Sequence, residues 1–169
     1  MTEIELVGID ADYTLWQSET FFAEVEEKFT ELMSKYSSDT SLEESLSSNE
    51  ISNLRVFGYG VKSFTLSMIE TAHLASGGNI ASSDIKQIIS WGKELLQHPV
   101  ILLDGVEEAI GELASNFTVY IVTKGDLLHQ RSKIEDSGLD KLVAGFDIFH
   151  EKDPESYLDF LTEKNVDPK

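Results

Sequence analysis

The sequence predicts an α/β fold, a parallel sheet with flanking helices and an all-helical unit inserted after the first strand. Three observations predict it. An apolar run from Ile4 to Ile9 opens the chain and ends on Asp10, the pattern of a buried strand. Residues 18–95 then show helical periodicity and no strand pattern. After residue 100 the pattern changes to strand, helix, strand, helix, which argues for parallel strands joined by right-handed crossovers.

The elements follow in order. The first strand covers about residues 4–10. Phe21, Val25, Phe29 and Leu32 recur at helical spacing, with Met33 beside them. Ser37 to Ser48 is polar and Ser-rich and reads as a loop with a short helix. Gly58 and Gly60 precede a helix whose stripe is Val61, Phe64, Met68 and Ala72, and the segment Ala75 to Asn79 closes it with a Gly pair. Ser82 or Ser83 is the expected cap of the next helix, which carries Ile85, Ile88, Ile89, Leu95 and Leu96. These stripes read as core packing and not as a cofactor box. Pro99 marks the exit from the helical unit. A short helix at 105–114, a strand from Phe117 to Val122 and a helix at 126–137 come next. A weaker strand within Leu142 to Phe149 and a helix opened by Pro154 complete the chain to about Glu163. The resulting division is a sheet core of 1–16 and 97–169 around a helical unit of 17–96.

Charge bounds the partners. The chain has 31 acidic and 13 basic residues, a net charge of -18, so its surface repels nucleic acid and anionic lipid. An anionic substrate needs a local correction from Mg2+, lysine or backbone amides. With no cysteine, disulfide and thiol chemistry are excluded. His73, His98, His129 and His150 lack zinc spacing. No signal peptide or spanning segment is legible, and the expected location is cytoplasmic.

The chemistry concentrates at strand ends. Asp10 and Asp12 leave the first strand together, at the edge where open α/β sheets place their sites. One carboxylate can attack and one can shuttle a proton. Thr123-Lys124-Gly125-Asp126 follows the second strand, offering a hydroxyl and backbone N–H groups near a helix N-terminus, which suit a phosphate. Lys152 lies just beyond the third strand and offers a positive charge. Together these supply a nucleophile, an acid/base, an oxyanion cradle and a counter-charge.

Asp10-Ala11-Asp12-Tyr13-Thr14-Leu15, Val119 to Asp126 and Glu151-Lys152-Asp153-Pro154 resemble the first three motifs of the haloacid dehalogenase-like superfamily, in its phosphatase branch with a helical cap. The resemblance implies a Rossmann-like core and a cap that closes over the site. It implies that Asp10 attacks phosphorus to form an aspartyl-phosphate and that Asp12 protonates the leaving oxygen and then activates water. Thr123 with the amides of Lys124 and Gly125 would hold the phosphoryl group, Lys152 would orient Asp10, and Mg2+ would bind Asp10 and the main-chain carbonyl of Asp12. The implied activity is Mg2+-dependent hydrolysis of a small phosphorylated metabolite. Dehalogenase members lack the second aspartate, since a halide leaving group needs no acid; a phosphomutase shares the same groups. Phosphonate hydrolysis would need a cap lysine, for which Lys62 is the candidate, although it reads as a surface lysine. Trp16, Phe21 and Arg55 are candidates to line the cap side, and Trp16 can equally pack the cap on the core.

In the family a fourth strand and an acidic fourth motif follow, and here the residues Asn165-Val166-Asp167-Pro168-Lys169 stand before it. The first strand is then expected at a sheet edge with unpaired backbone groups. The expectation is a fragment of a longer protein. The alternatives are a partner or homodimer covering that edge, or an inactive relative serving as an interaction protein.

Overall fold

The computed structural model describes residues 4, 6–17, 19–37 and 41–167. Glu5 of the expected first strand and residues 38–40 of the expected loop lie outside these. In chain order the elements are β1 (Leu6–Ile9), α1 (Glu19–Met33), α2 (Leu42–Phe57), α3 (Val61–Ala75), α4 (Ser82–Leu96), α5 (Val106–Ala114), β2 (Thr118–Lys124), α6 (Leu127–Ser137), β3 (Gly145–Phe149) and α7 (Pro154–Glu163). They form two compact units, one of Met1–Ser18 with Pro99–Lys169 and one of Glu19–His98.

The sheet unit is built on three parallel strands in the order β1-β2-β3. β2 alternates its side chains between two cores, as a strand covered on both faces must. Ile121 packs with Ala11, Leu15, Trp16, Ile110, Ile134 and Leu139. Val122 and Tyr120 point the other way, to Phe149 and Phe160. Trp16, considered from the sequence for the cap side, is 1% exposed and belongs to the first of these cores.

The helical unit buries the expected stripes. Val25, Phe29, Leu32, Met33, Val61, Phe64, Met68, Ala72, Ile88 and Leu95 form one cluster, joined by Trp91. Ile89 is mostly outside it, at the solvent. Two expectations need correction. The stretch read as a loop with a short helix belongs largely to α2, which runs for 16 residues. Its contact with α3 is a polar seam: Asn49 Nδ2 donates to Thr71 Oγ1 at 2.8 Å, and Asn53 Nδ2 to Ser67 Oγ at 3.1 Å and Glu70 Oε2 at 2.9 Å. Hydrophobic periodicity does not register a face held this way. The residue in the capping position of α4 is Ala81, not Ser82 or Ser83, and it has no polar side chain to cap with. Tyr36 does that work from α1's end, its hydroxyl accepting from Ala81 N at 3.0 Å and donating to Asp84 Oδ2 at 2.6 Å.

The acidic excess has a local cost here. Burial, with repulsion from Glu43, pushes the Glu26 carboxyl up, and burial with repulsion from Glu26 does the same to Glu50. No helix among the described residues is long and apolar enough to cross a membrane.

Gly92 sets the approach of α3 to α4, because a Cβ there would lie 2.2 Å from Thr65 Oγ1. Gly92→Ala should therefore lower stability by about 1–3 kcal/mol, the range for overpacking, despite alanine's better helix propensity. Thr65→Ala added to it should recover part of that loss in denaturant unfolding; a stabilised Gly92→Ala would contradict the packing account.

Candidate active site

The strand register brings the three chemical segments to one edge. Ile9 pairs with Ile121 and Lys124 with Phe149, so the chain leaves β1, β2 and β3 on the same side. Asp10 follows Ile9, Thr123 lies two residues past Ile121, and Lys152 lies three past Phe149.

The loop after β1 is anchored by its apolar end. Leu15 and Trp16 are buried, while Leu15 N donates to Ala11 O at 2.8 Å and Thr14 N to the same oxygen at 3.1 Å. This tight turn leaves Tyr13 exposed with φ of 62°, a conformation a bulky side chain adopts at a cost. Asp10 is 51% exposed, and its Oδ1 accepts from Ala11 N at 2.8 Å and from the Lys152 ammonium.

Asp12 is the most constrained group. Its Oδ1 accepts from Trp16 Nε1 at 2.7 Å and Lys133 Nζ at 2.5 Å, and its Oδ2 accepts from Gln130 Nε2 at 2.7 Å. Burial works to raise its pKa, but the charge of Lys133 and the hydrogen bonds from Lys133, Gln130 and Trp16 outweigh it, and the carboxyl is held below the ordinary carboxylate range. Asp12 therefore rests as a carboxylate.

Thr123 is 1% exposed, and its Oγ1 accepts from Gln130 Nε2 at 3.2 Å. The phosphate cradle expected at Lys124 and Gly125 is partly engaged within the fold. Gly125 N donates to Phe149 O at 3.4 Å. The N-terminus of α6 already holds an anion, since Asp126 Oδ1 accepts from His129 N at 3.0 Å. The Lys124 ammonium turns to Glu151 Oε1 at 2.7 Å, and the same oxygen accepts from Lys152 N at 3.0 Å. Gly125 has φ of 136°, and a Cβ there would lie 3.2 Å from Gln130 Nε2, so both backbone and packing require glycine.

Sequence reasoning missed Gln130, Lys133 and Glu151. Gln130 and Lys133 sit one turn apart on α6, and Lys133 neighbours the fully buried Ile134. Polar residues on the buried side of a helix that begins at the second motif were the available signal. Arg55 and Lys62 lie in the helical unit, on α2 and α3, both exposed.

Among the described residues no group of three His, Cys, Asp or Glu side chains could hold a metal ion. Asp10 and the Asp12 carbonyl are two hard oxygen donors, the kind that Mg2+ accepts while keeping several waters.

Comparisons with known proteins bear on the arrangement. The chain shares 42% identity with a haloacid dehalogenase-like family hydrolase from Xanthomonas campestris, with a TM-score of 0.91 over 96% of this chain and 69% of that one. A 2-haloacid dehalogenase from Pseudomonas syringae superposes with a TM-score of 0.64 at 18% identity, over 99% of this chain and 75% of that one. The HAD-hydrolase YfnB from Bacillus subtilis, bound to magnesium, gives 0.62 at 18% identity, over 96% and 73%. The latter two likenesses speak to the fold alone. A scan of protein-family profiles and a search of curated proteins find no match.

The Asp12 carboxyl lies below its unfolded value, so the stability it contributes is complete above about 4, the ordinary aspartate value, and is lost as pH falls through the lowered folded value. Asp12→Asn should cost about 1.5–3 kcal/mol at neutral pH, the range for hydrogen bonds to a charged group. The gap to the unsubstituted protein should narrow in denaturant unfolding as pH falls below about 4 and through the lowered folded value. A gap that does not change with pH would contradict the assigned interactions.

Proposed function

The chain belongs to the haloacid dehalogenase-like hydrolase family, and from that premise we propose that it hydrolyses the phosphate monoester of a small metabolite through an aspartyl-phosphate on Asp10. The observation that carries this is the pairing of exposed Asp10 with Lys152 at the strand ends, two residues before a carboxylate held by its own donors.

Asp10 is the better placed nucleophile. Ala11 N and Lys152 engage its Oδ1, which fixes the carboxylate and leaves its exposed side toward solvent. Its oxygen attacks phosphorus, the bond from phosphorus to the ester oxygen breaks, and the leaving oxygen takes a proton from Asp12. Asp12 rests ionised, and the dianionic phosphate beside it raises its proton affinity, so the proton is taken up as substrate binds. As a carboxylate again, Asp12 accepts a proton from the water that cleaves the acyl phosphate and releases inorganic phosphate. Lys152 offsets charge on the transferring group. Thr123 is the hydroxyl assigned to a phosphoryl oxygen, donating its proton there while its Oγ1 accepts from Gln130 Nε2.

Asp10 and the main-chain carbonyl of Asp12 would hold Mg2+, which when bound supplies positive charge against the phosphoryl oxygens. The need for a proton on the leaving group is why Asp12 favours a phosphate ester over a haloacid, whose halide departs without one.

Against p-nitrophenyl phosphate with Mg2+, the protein should turn over and lose turnover in EDTA. Asp10→Asn should reduce activity to background. Asp12→Asn should cost about 10²–10⁴-fold in kcat through loss of the base that activates the hydrolytic water, since nitrophenolate departs without an acid, and Thr123→Ala less than Asp10→Asn. Activity surviving in Asp10→Asn would sink the assigned nucleophile.

A further inference from the structure

We infer that Lys133 is a positioning residue for Asp12, acting with Gln130 and Trp16 to fix the carboxylate that transfers the proton. The inference rests on the reading of Asp12 above and adds the residues that make its placement.

The geometry is a closed set of contacts. Trp16 is 1% exposed, so its indole N–H is a rigid donor. The Lys133 ammonium lies 5.6 Å from the centroid of the Trp16 ring and donates to the same Asp12 oxygen as that indole. The Lys133 side chain is only 15% exposed, so its head group has given up much of its water for this one position. On the opposite oxygen stands Gln130, whose Nε2 faces Asp12 Oδ2 at 2.7 Å, Lys124 O at 2.7 Å and Thr123 Oγ1 at 3.2 Å. Those acceptors fix which way the amide points, because the flipped amide would set oxygen against carboxylate and carbonyl oxygens. The consequence is that Gln130 Oε1 is buried with no hydrogen-bond partner. A side chain selected for packing alone would carry no such orphan. What the orphan accompanies is a donor shared between Asp12 and Thr123, so the proton-transfer group and the phosphoryl-binding hydroxyl are set by one amide.

Lys133 also follows from local structure. Asp126 starts α6 at the second motif, and residues four and seven positions on face back toward the sheet beside buried Ile134. Removing the ammonium leaves Oδ1 with the Trp16 indole as its one remaining side-chain donor and loosens the carboxylate about its own side-chain torsions.

The test is Lys133→Met in the full chain, assayed with Mg2+ on aryl phosphates running from nitrophenol to methoxyphenol as leaving groups. The expected loss is in kcat/KM, which reports on phosphoryl transfer and not on the later hydrolysis of the acyl phosphate: about tenfold or more for the basic phenols and small for nitrophenol, because only basic leaving groups need the positioned acid in that step. A loss equal across the series, or none, would overturn the inference. A second readout needs no turnover: the indole ¹H–¹⁵N resonances of the two tryptophans. The Trp16 signal should move in Lys133→Met as it does in Asp12→Asn, and the Trp91 signal should stay. An unmoved Trp16 signal would overturn the inference by itself. Should Lys133→Met lose the fold, Lys133→Gln carries the same readouts. Absence of turnover in the unsubstituted protein, or activity kept by Asp10→Asn, counts against the phosphatase reading and leaves the indole signal to decide on Lys133.

Discussion

The parallel pairing of β2 between β1 and β3 is the constraint on which the rest of the structure depends. The side-chain repeat of a strand is two, so a slip of one residue in either pairing would turn Ile121 from one core toward the other. Both faces of β2 are committed to apolar partners, which makes the register costly to change. The same register ends three strands at one edge. Asp10, Thr123 and Lys152 are far apart in the chain and owe their proximity to it. The chemistry at that edge is a by-product of burying Val119, Ile121 and Val122.

For a chain of net charge -18, the proposed anionic substrate needs local positive charge at the strand ends. Three of the chain's lysines meet carboxylates around the strand ends: Lys124 with Glu151, Lys133 with Asp12, and Lys152 with Asp10. Each ammonium is held by a partner, so under the proposed reaction little reorganisation is needed when charge develops on a phosphoryl group. The pairs differ in purpose. Asp10 and Lys152 are the pair from which a nucleophile can act, since Asp10 keeps half its surface open. Asp12 and Lys133 are enclosed by Trp16 and Gln130.

Much of this was legible in the sequence because it is local. A run of apolar residues ending on Asp-x-Asp, a β-branched strand ending on Thr-Lys-Gly-Asp, and a lysine before Asp-Pro are each read within about ten residues. Pro154 as the start of α7 is a local signal too, and the structure places the helix there. What was not legible depends on contacts across long separations. Gln130 and Lys133 look like solvated helix residues until the loop after β1 is placed beside α6, and only then does Asp12 emerge as their partner. α2 was under-read for the same reason, since Asn49 and Asn53 stabilise it only through Thr71, Ser67 and Glu70 on α3. The cap of α4 is likewise a tyrosine 45 residues upstream of the helix boundary.

In the proposed reaction the carboxylate at the end of β1 becomes covalently phosphorylated. The most direct measurement is to mix the protein with a phosphate monoester and Mg2+, quench in acid within the first turnovers, reduce with borohydride and sequence the peptides by mass spectrometry. An acyl phosphate is reduced where a free carboxylate is not, so the account requires homoserine in place of aspartate at Asp10 and nowhere else. Turnover proceeding with Asp10 unreduced, or the phosphate found on His129 or His150, would contradict it.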